Sequence, residues 1–504
     1  MTMKKILFTM IAMLMTLALN AQISVWDGTA EHWTHGSGTE DDPYLIENAQ
    51  QLAYLAVQTN ELHYSNYEYH NMYVDTCFLL TVDLDLGGEN GLEWEPIAQD
   101  GISLQTRCFG GHFDGGYHTI SNMNIKDGSG RKFIGLFGHI EDGSIKNITI
   151  NGANIDLPSF HLLGIPGGLG ILVGYGKNVT VEHCFNNVSM VLEYGSFEFG
   201  SLFGGLFGRM ENSTITDCHN NGNMTILEVK TNYSGLAFGG ICGSLYECNI
   251  DYCSNQGNLF ITQSGNNNFA EGEFCGGIVG IMSGSMTNCY NTGYLEVNVA
   301  INEPSSFIAT ASGGLVGSTM SEKDLSVTNS YSATDINITG ENIPSFIGGI
   351  IGYKFDDVQA VSTNCYYLDI IESDNEYGIP QSEAFMKTQD FVNLLNANGD
   401  FYAMDIMNVN KGYPVFERYY SVEETDFANG ISVYPNPAKD VVNITFSNNA
   451  KCRSIDIYSI DGRLMKSQND SFNKINIANL TSGLYLIKVR MSDGKEFTEK
   501  IVVK

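Results

Sequence analysis

The middle of the chain alternates short runs of β-branched and other apolar residues with Gly, Asn and Ser, without the spacing of two amphipathic helices. A representative stretch divides into three such runs, 274–282, 285–293 and 294–299. Short apolar runs bounded by turn residues are typical of strands. We therefore expect an all-β fold with three strands in each structural unit.

A short glycine-bounded motif recurs seven times at nearly constant spacing. The intervals between successive motifs are 36, 34, 35, 37, 37 and 35 residues, and the closing residues are Gly138, Gly174, Gly208, Gly243, Gly280, Gly317 and Gly352. A fixed period of about 20 to 50 residues indicates a solenoid or a propeller. We predict a right-handed parallel β-helix, in which the glycines serve turns with positive φ or a close approach of neighbouring backbones.

Cysteines recur with the same period. Five of the eleven occupy one motif position, and Ser330 fills it in the remaining period: Cys184, Cys218, Cys253, Cys289 and Cys365. Such a column is explained by small side chains stacked inside a solenoid, because a thiol behaves as a small buried hydrophobe. Disulfides among the other six cysteines are left open, and no Cys/His spacing predicts zinc.

Asparagines follow the cysteine column at a distance of two residues, at positions 186, 220, 255 and 291. Asn tolerates left-handed backbone conformations, and its amides can hydrogen-bond from coil to coil. The sequence therefore predicts a ladder of asparagine side chains at a turn.

These motifs resemble the GLUG-motif repeat family of secreted bacterial proteins, which includes parts of some immunoglobulin-cleaving peptidases and adhesins. The resemblance covers about residues 40 to 418 and includes lead-in motifs at 38–46, 78–86 and 109–120. It implies a β-helical scaffold, but a fold does not fix a function.

Helical caps are expected at both ends of the solenoid, because an open end exposes unpaired strand edges. Asn48 can begin a helix that carries Leu52, Leu55 and Ala56, and Ser382 can begin another that carries Phe385, Met386 and Leu395. Residues 412–416 suggest a final strand.

The N-terminus has the pattern of a secretory signal peptide. Lys4 and Lys5 precede an apolar run from Ile6 to Leu19, and Ala21 supplies a small residue for cleavage. The run is short for a membrane anchor, which needs about 20 apolar residues.

The last 80 residues differ from the rest in charge and in pattern. Residues 22–425 hold 13 basic and 49 acidic side chains, whereas residues 426–504 hold 11 and 8. Alternating runs separated by turn residues predict a small β-sandwich here. The segment resembles the C-terminal sorting domain of the type IX secretion system of Bacteroidetes, on the motif residues Tyr434, Pro435, Asn436, Pro437, Gly462, Gly483 and Tyr485.

That second resemblance implies export. The chain would cross the inner membrane by its signal peptide and the outer membrane through the type IX machinery, and would then be released or attached to the outer face of the cell. The predicted organisation is a signal peptide at 1–21, an N-terminal cap at 22–75, a β-helix at 76–370, a cap at 371–423 and the sorting domain at 424–504.

Signatures of known catalysts are absent from the sequence. It contains no HExxH, no Gly-x-Ser-x-Gly and no phosphate-binding loop. Asp83 and Asp85 would project from one face of a strand at a separation that a glycosidase pair could have. Asp114 and His118 are also close in sequence. We expect Asp83 and Asp85 to be solvated residues on the outer face of the strand, and Asp114 and His118 to belong to a loop or turn. No catalytic, cofactor or metal site is predicted; the acidic surface could bind Ca²⁺ weakly, although no EF-hand or calcium repeat is present.

Charge restricts the choice of ligand. The acidic solenoid would repel polyanions, which argues against nucleic acid and against the acidic glycans of polysaccharide lyases. Two hypotheses remain, an adhesin-like module that binds a glycan or protein, and a carbohydrate-active enzyme with its site in the inserts 193–200 or 303–311. Aromatic residues at positions 64, 67, 69 and 73 offer stacking surfaces for the first hypothesis.

Overall fold

The seven glycine motifs correspond to successive coils in a computed structural model of the chain. The structure describes residues 23–60, 70–99, 107–126, 133–156, 167–193, 196–197, 201–231, 236–265, 273–301, 310–341, 345–406, 408–417, 431–434, 438–439, 441–446, 452–459, 464–468, 472–480, 483–491 and 496–503. It divides into two compact units, one ending at Ser382 and the other running from Glu383 to the C-terminus.

The first unit begins with short strands, one helix and one 3₁₀ turn. Its elements up to the first regular coil are β1 Ser24–Val25, β2 Tyr44–Ile46, α1 Ala49–Asn60, β3 His70–Met72, β4 Cys77–Leu80, β5 Leu84–Asp85, a 3₁₀ turn Gly88–Asn90, β6 Arg107–Phe109 and β7 His112–Lys126. Asn48 caps α1, since its Oδ1 accepts a 2.8 Å hydrogen bond from the backbone N–H of Gln51. Leu52 and Leu55 of the helix are fully buried, as the sequence predicted.

The regular coils follow. Their strands are β8 Phe133–Ile134, β9 Phe137–Glu141, β10 Ser144–Asp156, β11 Gly168–Gly170, β12 Val173–Lys177, β13 Thr180–Asn186, β14 Met190–Glu193, β15 Ser196–Phe197, β16 Leu202–Gly204, β17 Phe207–Glu211, β18 Thr214–Asn220, β19 Met224–Thr231, β20 Leu236–Gly239, β21 Cys242–Asp251, β22 Ser254–Asn255, β23 Leu259–Gly265, β24 Glu273–Gly276, β25 Val279–Thr287, β26 Tyr290–Asn291 and β27 Leu295–Ile301. The last coils contain β28 Thr310–Gly313, β29 Val316–Thr319, β30 Leu325–Thr328, β31 Tyr331–Ser332, β32 Ile336–Glu341, β33 Ser345–Gly348, β34 Ile351–Tyr353, β35 Ala360–Thr363, β36 Tyr366–Leu368 and β37 Ile379–Gln381.

Equivalent strands of successive coils pair in parallel. The first strands of the seven coils form one sheet in the order β33-β28-β24-β20-β16-β11-β8, and β14-β19-β23-β27-β32 form a second, which β15 joins through β19. The remaining strands of this unit join in a third sheet that runs along the solenoid. The fold is therefore an all-β parallel β-solenoid of about seven turns.

From β11 onward the coils have four or five strands instead of the predicted three; β16 to β19, for example, are four, and β28 to β32 are five. The apolar run 274–282 is divided between β24 and β25 at Gly277 and Ile278. Both strands continue the same run of apolar residues, so hydrophobic pattern alone does not mark the bend. The glycine pair at the bend is the signal that separates them.

The glycines are required by close approach and not by positive φ. None of the seven closing glycines, all of which the structure describes, has a positive φ. A Cβ added to Gly205 would lie 2.2 Å from the carbonyl oxygen of Gly240 on the next coil, and one added to Gly208 would lie 2.4 Å from the backbone nitrogen of Leu169. Of the two roles that the sequence left open, the structure therefore selects backbone contact.

The cysteine column lies inside the solenoid. Cys184 is in register with Ile148 of the preceding coil and with Cys218 of the next. All five column cysteines are buried, and none of the eleven cysteines forms a disulfide. Burial raises the thiol pKa of Cys218 and Cys253 well above the ordinary value, so these groups are protonated core side chains.

The asparagine ladder is continuous over four coils. The Nδ2 groups of Asn186, Asn220 and Asn255 each donate to the Oδ1 of the next asparagine, at 2.7, 2.8 and 2.9 Å. Each amide also bridges its own turn, as when Gly222 N donates to Asn220 Oδ1. Because the side chains are buried, the ladder satisfies polar groups that water does not reach.

The residues with a left-handed backbone conformation are not the asparagines of the ladder. The residue before each position of the cysteine column has a positive φ, as in His183, Asp217, Asn288 and Asn329. Asn and Asp tolerate this conformation better than most residues. Here the side chains also bond from coil to coil, since Asn329 Nδ2 donates to Asn288 Oδ1 at 2.6 Å. Asparagine therefore does contribute left-handed turns here, but at a different position from the predicted one.

The second unit starts with helices α2 Glu383–Met386 and α3 Gln389–Leu395, followed by β38 Tyr402–Ala403 and β39 Val415–Phe416. Thr388 caps α3 by accepting a hydrogen bond from Phe391 N, so the single helix predicted after Ser382 is in fact two. The expected strand near residue 415 pairs antiparallel with β38.

The rest of the second unit is antiparallel. Its strands are β40 Ile431–Tyr434, β41 Val441–Phe446, β42 Cys452–Ser459, β43 Leu464–Gln468, β44 Lys474–Asn476, β45 Gly483–Met491 and β46 Glu496–Val503. They form a three-stranded sheet, β40-β41-β44, and a four-stranded sheet, β43-β42-β45-β46, that share one core. No helix among the described residues is long and apolar enough to span a membrane. The division at residue 382 falls within the cap predicted at 371–423, and the proposed domain boundaries stay predictions.

Glu273 is an unusual interior residue. It is 3% exposed, begins β24 and is in register with Thr310 of β28. Among the described residues, neither carboxyl oxygen of Glu273 nor the hydroxyl of Thr310 has a hydrogen-bond partner. Burial raises the pKa of Glu273 to about 8, so the folded protein holds this side chain protonated at neutral pH.

We expect Asn220→Ala to lower the free energy of unfolding by about 2–4 kcal/mol, because it removes the amide from the middle of the ladder and leaves buried polar atoms unpaired. Urea denaturation followed by circular dichroism measures this. Asn221→Ala is the matched control: Asn221 Nδ2 also bonds across coils, to Asn187 Oδ1 at 2.9 Å, but at the surface. A loss below about 0.5 kcal/mol is expected for the control, and equal losses would contradict a stabilising role for the buried ladder.

A second prediction concerns pH. The folded state keeps a proton on Glu273 that the unfolded state releases above its ordinary pKa of 4.5, so stability falls as pH rises from there to about 8. Glu273→Gln cannot ionise and should remove this loss, which amounts to a few kcal/mol at most. Its melting temperature should therefore rise relative to the unsubstituted protein across this window and hold a constant difference above it.

Glu182 lies on the exposed face of β13. Glu182→Gln therefore makes the same chemical change as Glu273→Gln, but at a carboxyl group that is not buried. It serves as the control in the same melting experiments. Identical pH profiles for Glu273→Gln and the unsubstituted protein would show that Glu273 is hydrated or paired.

Candidate functional site

A polar groove of about 700 Å³ lies on the outer surface of the first coils. Three neighbouring strands form it, because Cys77 of β4, His112 of β7 and Ser144 of β10 are in register. The next residue of each strand, Phe78, Phe113 and Ile145, points inward and is buried. Alternation along parallel strands therefore places one polar residue from each strand in a row at the surface.

The groove carries both hydrogen-bond donors and acceptors. His112 Nδ1 and Ser144 Oγ are 2.9 Å apart, and Lys146 Nζ lies 3.4 Å from Asp114 Oδ2. Glu40 and Asp75 add carboxylates to the lining. Such mixed polarity suits a ligand with many hydroxyl groups better than a ligand with one strong charge.

Cys77 does not have the properties of a nucleophile. Burial raises the pKa of its thiol, and the charges of Glu40 and Asp75 raise it further, whereas Lys146 opposes the shift. A thiol held protonated reacts slowly, since the thiolate is the reactive form. The neighbouring Cys77 and His112 therefore give no support to a cysteine hydrolase.

The carboxylates that the sequence singled out have structural partners. Asp83 Oδ1 accepts from Thr119 N at 2.9 Å and lies 3.1 Å from His118 Nδ1. Asp85 accepts from Gly87 N and from Asn122 Nδ2, each at 2.8 Å. Both hold turns between coils, and neither lines the groove, so they do not form a glycosidase pair there.

Asp114 differs from them because it does line the groove. Its Oδ1 accepts from Gly116 N and from Asn147 Nδ2, both at 2.9 Å, while Oδ2 faces Lys146. The carboxylate is thus held in place by one edge and presents the other to the groove.

Tyr117 is the most exposed large apolar side chain among the described residues, at 72%. It lies on β7, three residues after Asp114, with a φ of 63° that turns the strand. One edge of its ring contacts His183 of β13, two coils further on beyond β10, with ring centroids 5.2 Å apart. Tyr117 was not predicted as a functional residue, although the glycines before it in the segment 113–118 indicate the turn that exposes it.

A histidine and aspartate row continues along the solenoid from His183. Asp217 lies 2.8 Å from His183 Nδ1 and 2.9 Å from His219 Nε2, and His219 Nδ1 lies 2.9 Å from Ser254 Oγ. Each group in this row is engaged by a neighbour. The row therefore stabilises the turns next to the cysteine column and offers no open catalytic group.

Other predicted residues are placed as follows. Tyr73 packs against Trp33 and Phe78 instead of standing free for stacking, while positions 64, 67 and 69 lie outside the described residues. Most of the inserts 193–200 and 303–311 also lies outside them.

Of the sorting motif, Tyr434 ends β40, Gly483 begins β45, and Tyr485 is buried in the core of the sandwich. Residues 435–437 and 462 are outside the described part, as is the predicted signal peptide.

Two known proteins are similar to about a third of this chain. A glycine-rich membrane protein from Evansella cellulosilytica is 34% identical over 32% of this chain and 17% of its own length. Halomucin from Haloquadratum walsbyi is 31% identical over 38% of this chain and 2% of its own length. The chain thus spans less than a fifth of the length of these relatives.

Among solved structures, a protein described as a candidate immunoglobulin A1 protease from Bacteroides ovatus aligns with 76% of this chain and 94% of its own. The sequence identity is 19% and the TM-score is 0.43.

The last part of the C-terminal unit matches a defined family. Residues 432–504 match the secretion system C-terminal sorting domain, in agreement with the antiparallel sandwich and with the motif residues quoted above. A sorting domain of this kind directs export by the type IX system. The tail is a secretion system C-terminal sorting domain, and the protein is exported by type IX secretion to the cell surface or the extracellular space.

Proposed function

We propose that this protein is an adhesin-like surface protein that binds a neutral, hydroxyl-rich glycan in the groove of the first coils. One observation carries the proposal: a row of polar side chains in register, Cys77, His112 and Ser144, lines the groove, and the middle strand of the row, β7, carries the exposed Tyr117 three residues beyond the groove residue Asp114. Carboxylates and imidazoles hydrogen-bond hydroxyl groups, and an aromatic ring packs against the apolar face of a sugar.

The charge of the solenoid supports a neutral ligand. Residues 22–425 have 36 more acidic than basic side chains. A field of this sign slows the approach of polyanions and leaves neutral glycans unaffected. The export of the protein brings the groove to the place where such glycans occur.

We also propose that the seven repeats are of the GLUG type and that residues 1–21 are a signal peptide. Support for the first comes from glycines at which a Cβ would collide with the neighbouring coil. Support for the second comes from the basic and apolar pattern of the N-terminus. Sequencing the N-terminus of the exported protein, expected at Gln22, tests the signal peptide.

The alternative is a carbohydrate-active enzyme on the same scaffold. Asp114, the best-placed carboxylate of the groove, is held by two hydrogen bonds and by Lys146. Binding and turnover can be measured together, so one experiment separates the two functions.

We expect the full exported chain to bind neutral glycans saturably on a glycan array and to leave them intact by mass spectrometry. Tyr117→Ala should weaken binding at least about tenfold, because it removes the aromatic contact surface. Its melting temperature should stay within about 2 °C, since the side chain is 72% exposed.

Ile370→Ala is the control, because Ile370 is a 59% exposed apolar residue that follows the last coil. It should bind as the unsubstituted protein does. Lys146→Ala tests the groove itself, because Lys146 lines it, and should also weaken binding at least about tenfold. Equal binding by Tyr117→Ala would contradict the aromatic contact, equal binding by Lys146→Ala would contradict the groove as the site, and shortened glycans would show that the protein is an enzyme.

A further inference from the structure

A second cluster of polar side chains is enclosed near the start of the solenoid, away from the groove lining. Strands β6 and β9 are neighbours with Phe109 opposite Ile140, which brings Cys108 beside His139. Cys108 is fully buried, His139 is 3% exposed, and Glu141 is 9% exposed. One donor atom from each of the three lies within 4.8 Å of the other two.

His139 lacks the hydrogen bonds that a buried imidazole normally makes. Neither ring nitrogen makes a hydrogen bond of standard geometry among the described residues, and the contact of the ring with the Arg107 backbone falls short of one. Burying such a group without a partner costs roughly 1–3 kcal/mol, so an unpaired pair of ring nitrogens is rare in native proteins. The rings of Phe133 and Tyr175 pack on His139, at 5.7 and 4.8 Å between centroids, and limit the access of water.

Asn71 supplies a further orphan acceptor. It is in register with Cys108 on the other side of β6. Its Nδ2 donates to the backbone carbonyl of Glu141 at 3.1 Å, whereas its Oδ1 has no partner among the described residues. The same short stretch of three strands therefore holds a thiol, an imidazole, a carboxylate and an amide oxygen.

Glu141 is oriented toward His139 by a neighbour. Its Oε1 accepts a 2.8 Å hydrogen bond from Lys177 Nζ, which fixes the carboxylate. Its Oε2 lies 3.8 Å from His139 Nε2, too far for a hydrogen bond but close to the separation of two ligands on one metal ion. In metal sites, a ligating side chain is usually held in position by a hydrogen bond from a neighbouring residue, as Lys177 holds Glu141 here.

We propose that Cys108, His139 and Glu141 bind a zinc ion, with Asn71 Oδ1 or a water molecule as the fourth ligand. Sulfur, imidazole and carboxylate together suit Zn²⁺, whereas Ca²⁺ and Mg²⁺ take oxygen ligands. Donor atoms around tetrahedral zinc are about 3.3–3.7 Å apart, so closing the cluster requires shifts of about 1 Å, within the range of side-chain rotation. On binding, the Cys108 thiol gives its proton to solvent and its sulfur joins the metal.

The burial of the ligands makes this a structural zinc. A catalytic zinc needs an open position that substrate can reach, and these three ligands are enclosed. The ion would tie β3, β6 and β9 together at the point where irregular lead-in strands become regular coils. The sequence predicted no metal site, because Cys108 and His139 are 31 residues apart and match no familiar ligand spacing.

The test uses the full chain purified without metal, then incubated with Zn²⁺ or Co²⁺ and desalted. Mass spectrometry of the metal content should find about one zinc per chain, and the cobalt form should show thiolate-to-metal absorption. The melting temperature should rise with Zn²⁺ concentration. Cys108→Ala and Glu141→Gln should each lower the affinity for zinc at least about tenfold, and Cys108→Ala should abolish the thiolate absorption.

Cys242→Ala is the matched control, because Cys242 is an equally buried cysteine in the core that is not among the three donors. It should keep both the zinc and the cobalt spectrum. If Cys108→Ala does not fold, Glu141→Gln, which keeps the size of the side chain, decides the outcome. A folded unsubstituted chain that retains no zinc would overturn the proposal, as would thiolate absorption that survives in Cys108→Ala or is lost in Cys242→Ala.

Discussion

The close parallel stacking of one coil on the next is the constraint on which the rest of this solenoid depends. Neighbouring strands lie about 4.8 Å apart, and at the bend between the first two strands of a coil the backbones leave no room for a Cβ. Gly205 lies against the Gly240 carbonyl in this way, and later coils repeat the contact. Once the bends are stacked, the register of every other position follows.

Register explains why the interior consists of columns. Equivalent positions of successive coils point in the same direction, so a residue that suits one coil is surrounded by its own counterparts above and below. The cysteines form an apolar column, and the asparagines form a hydrogen-bonded one. Glu273 departs from the rule, since its neighbours in register are Leu236 and Thr310, and within the described part of the chain neither its carboxyl group nor the Thr310 hydroxyl has a hydrogen-bond partner. The stability of a column therefore depends on whether the side chains at equivalent positions of adjacent coils can pack or hydrogen-bond with each other.

Much of this architecture could be predicted from the sequence because the repeats are regular. The period of the glycines gave the coils, and the spacing of Cys184, Cys218 and Cys253 gave the register. The four or five strands of a coil could not be counted from hydrophobicity, because the apolar run continues through the bend at Gly277. Only the pair of glycines marks that bend, where the backbone contacts the next coil.

The groove and the cluster around His139 were beyond the reach of sequence patterns for a related reason. Both lie in the first coils, before or at the first glycine motif, which begins at residue 135. Cys77 and His112 are 35 residues apart, and His112 and Ser144 are 32 apart, so the intervals are near the repeat length, but no shared motif marks these positions. Without such a motif, polar residues carry no signal of contact until the pairing is known.

The asparagine ladder joins residues that are 34 to 36 positions apart, and the strand pairs on either side of it join residues that are 34 to 41 positions apart. Every coil therefore closes a loop of nearly the same length, and the entropic cost of closure, which grows only with the logarithm of that length, is the same for each. No contact between distant parts of the chain has to form before a new coil can add to the last. The length of this solenoid is thus an adjustable property: a coil can be gained or lost without altering the geometry of those that remain.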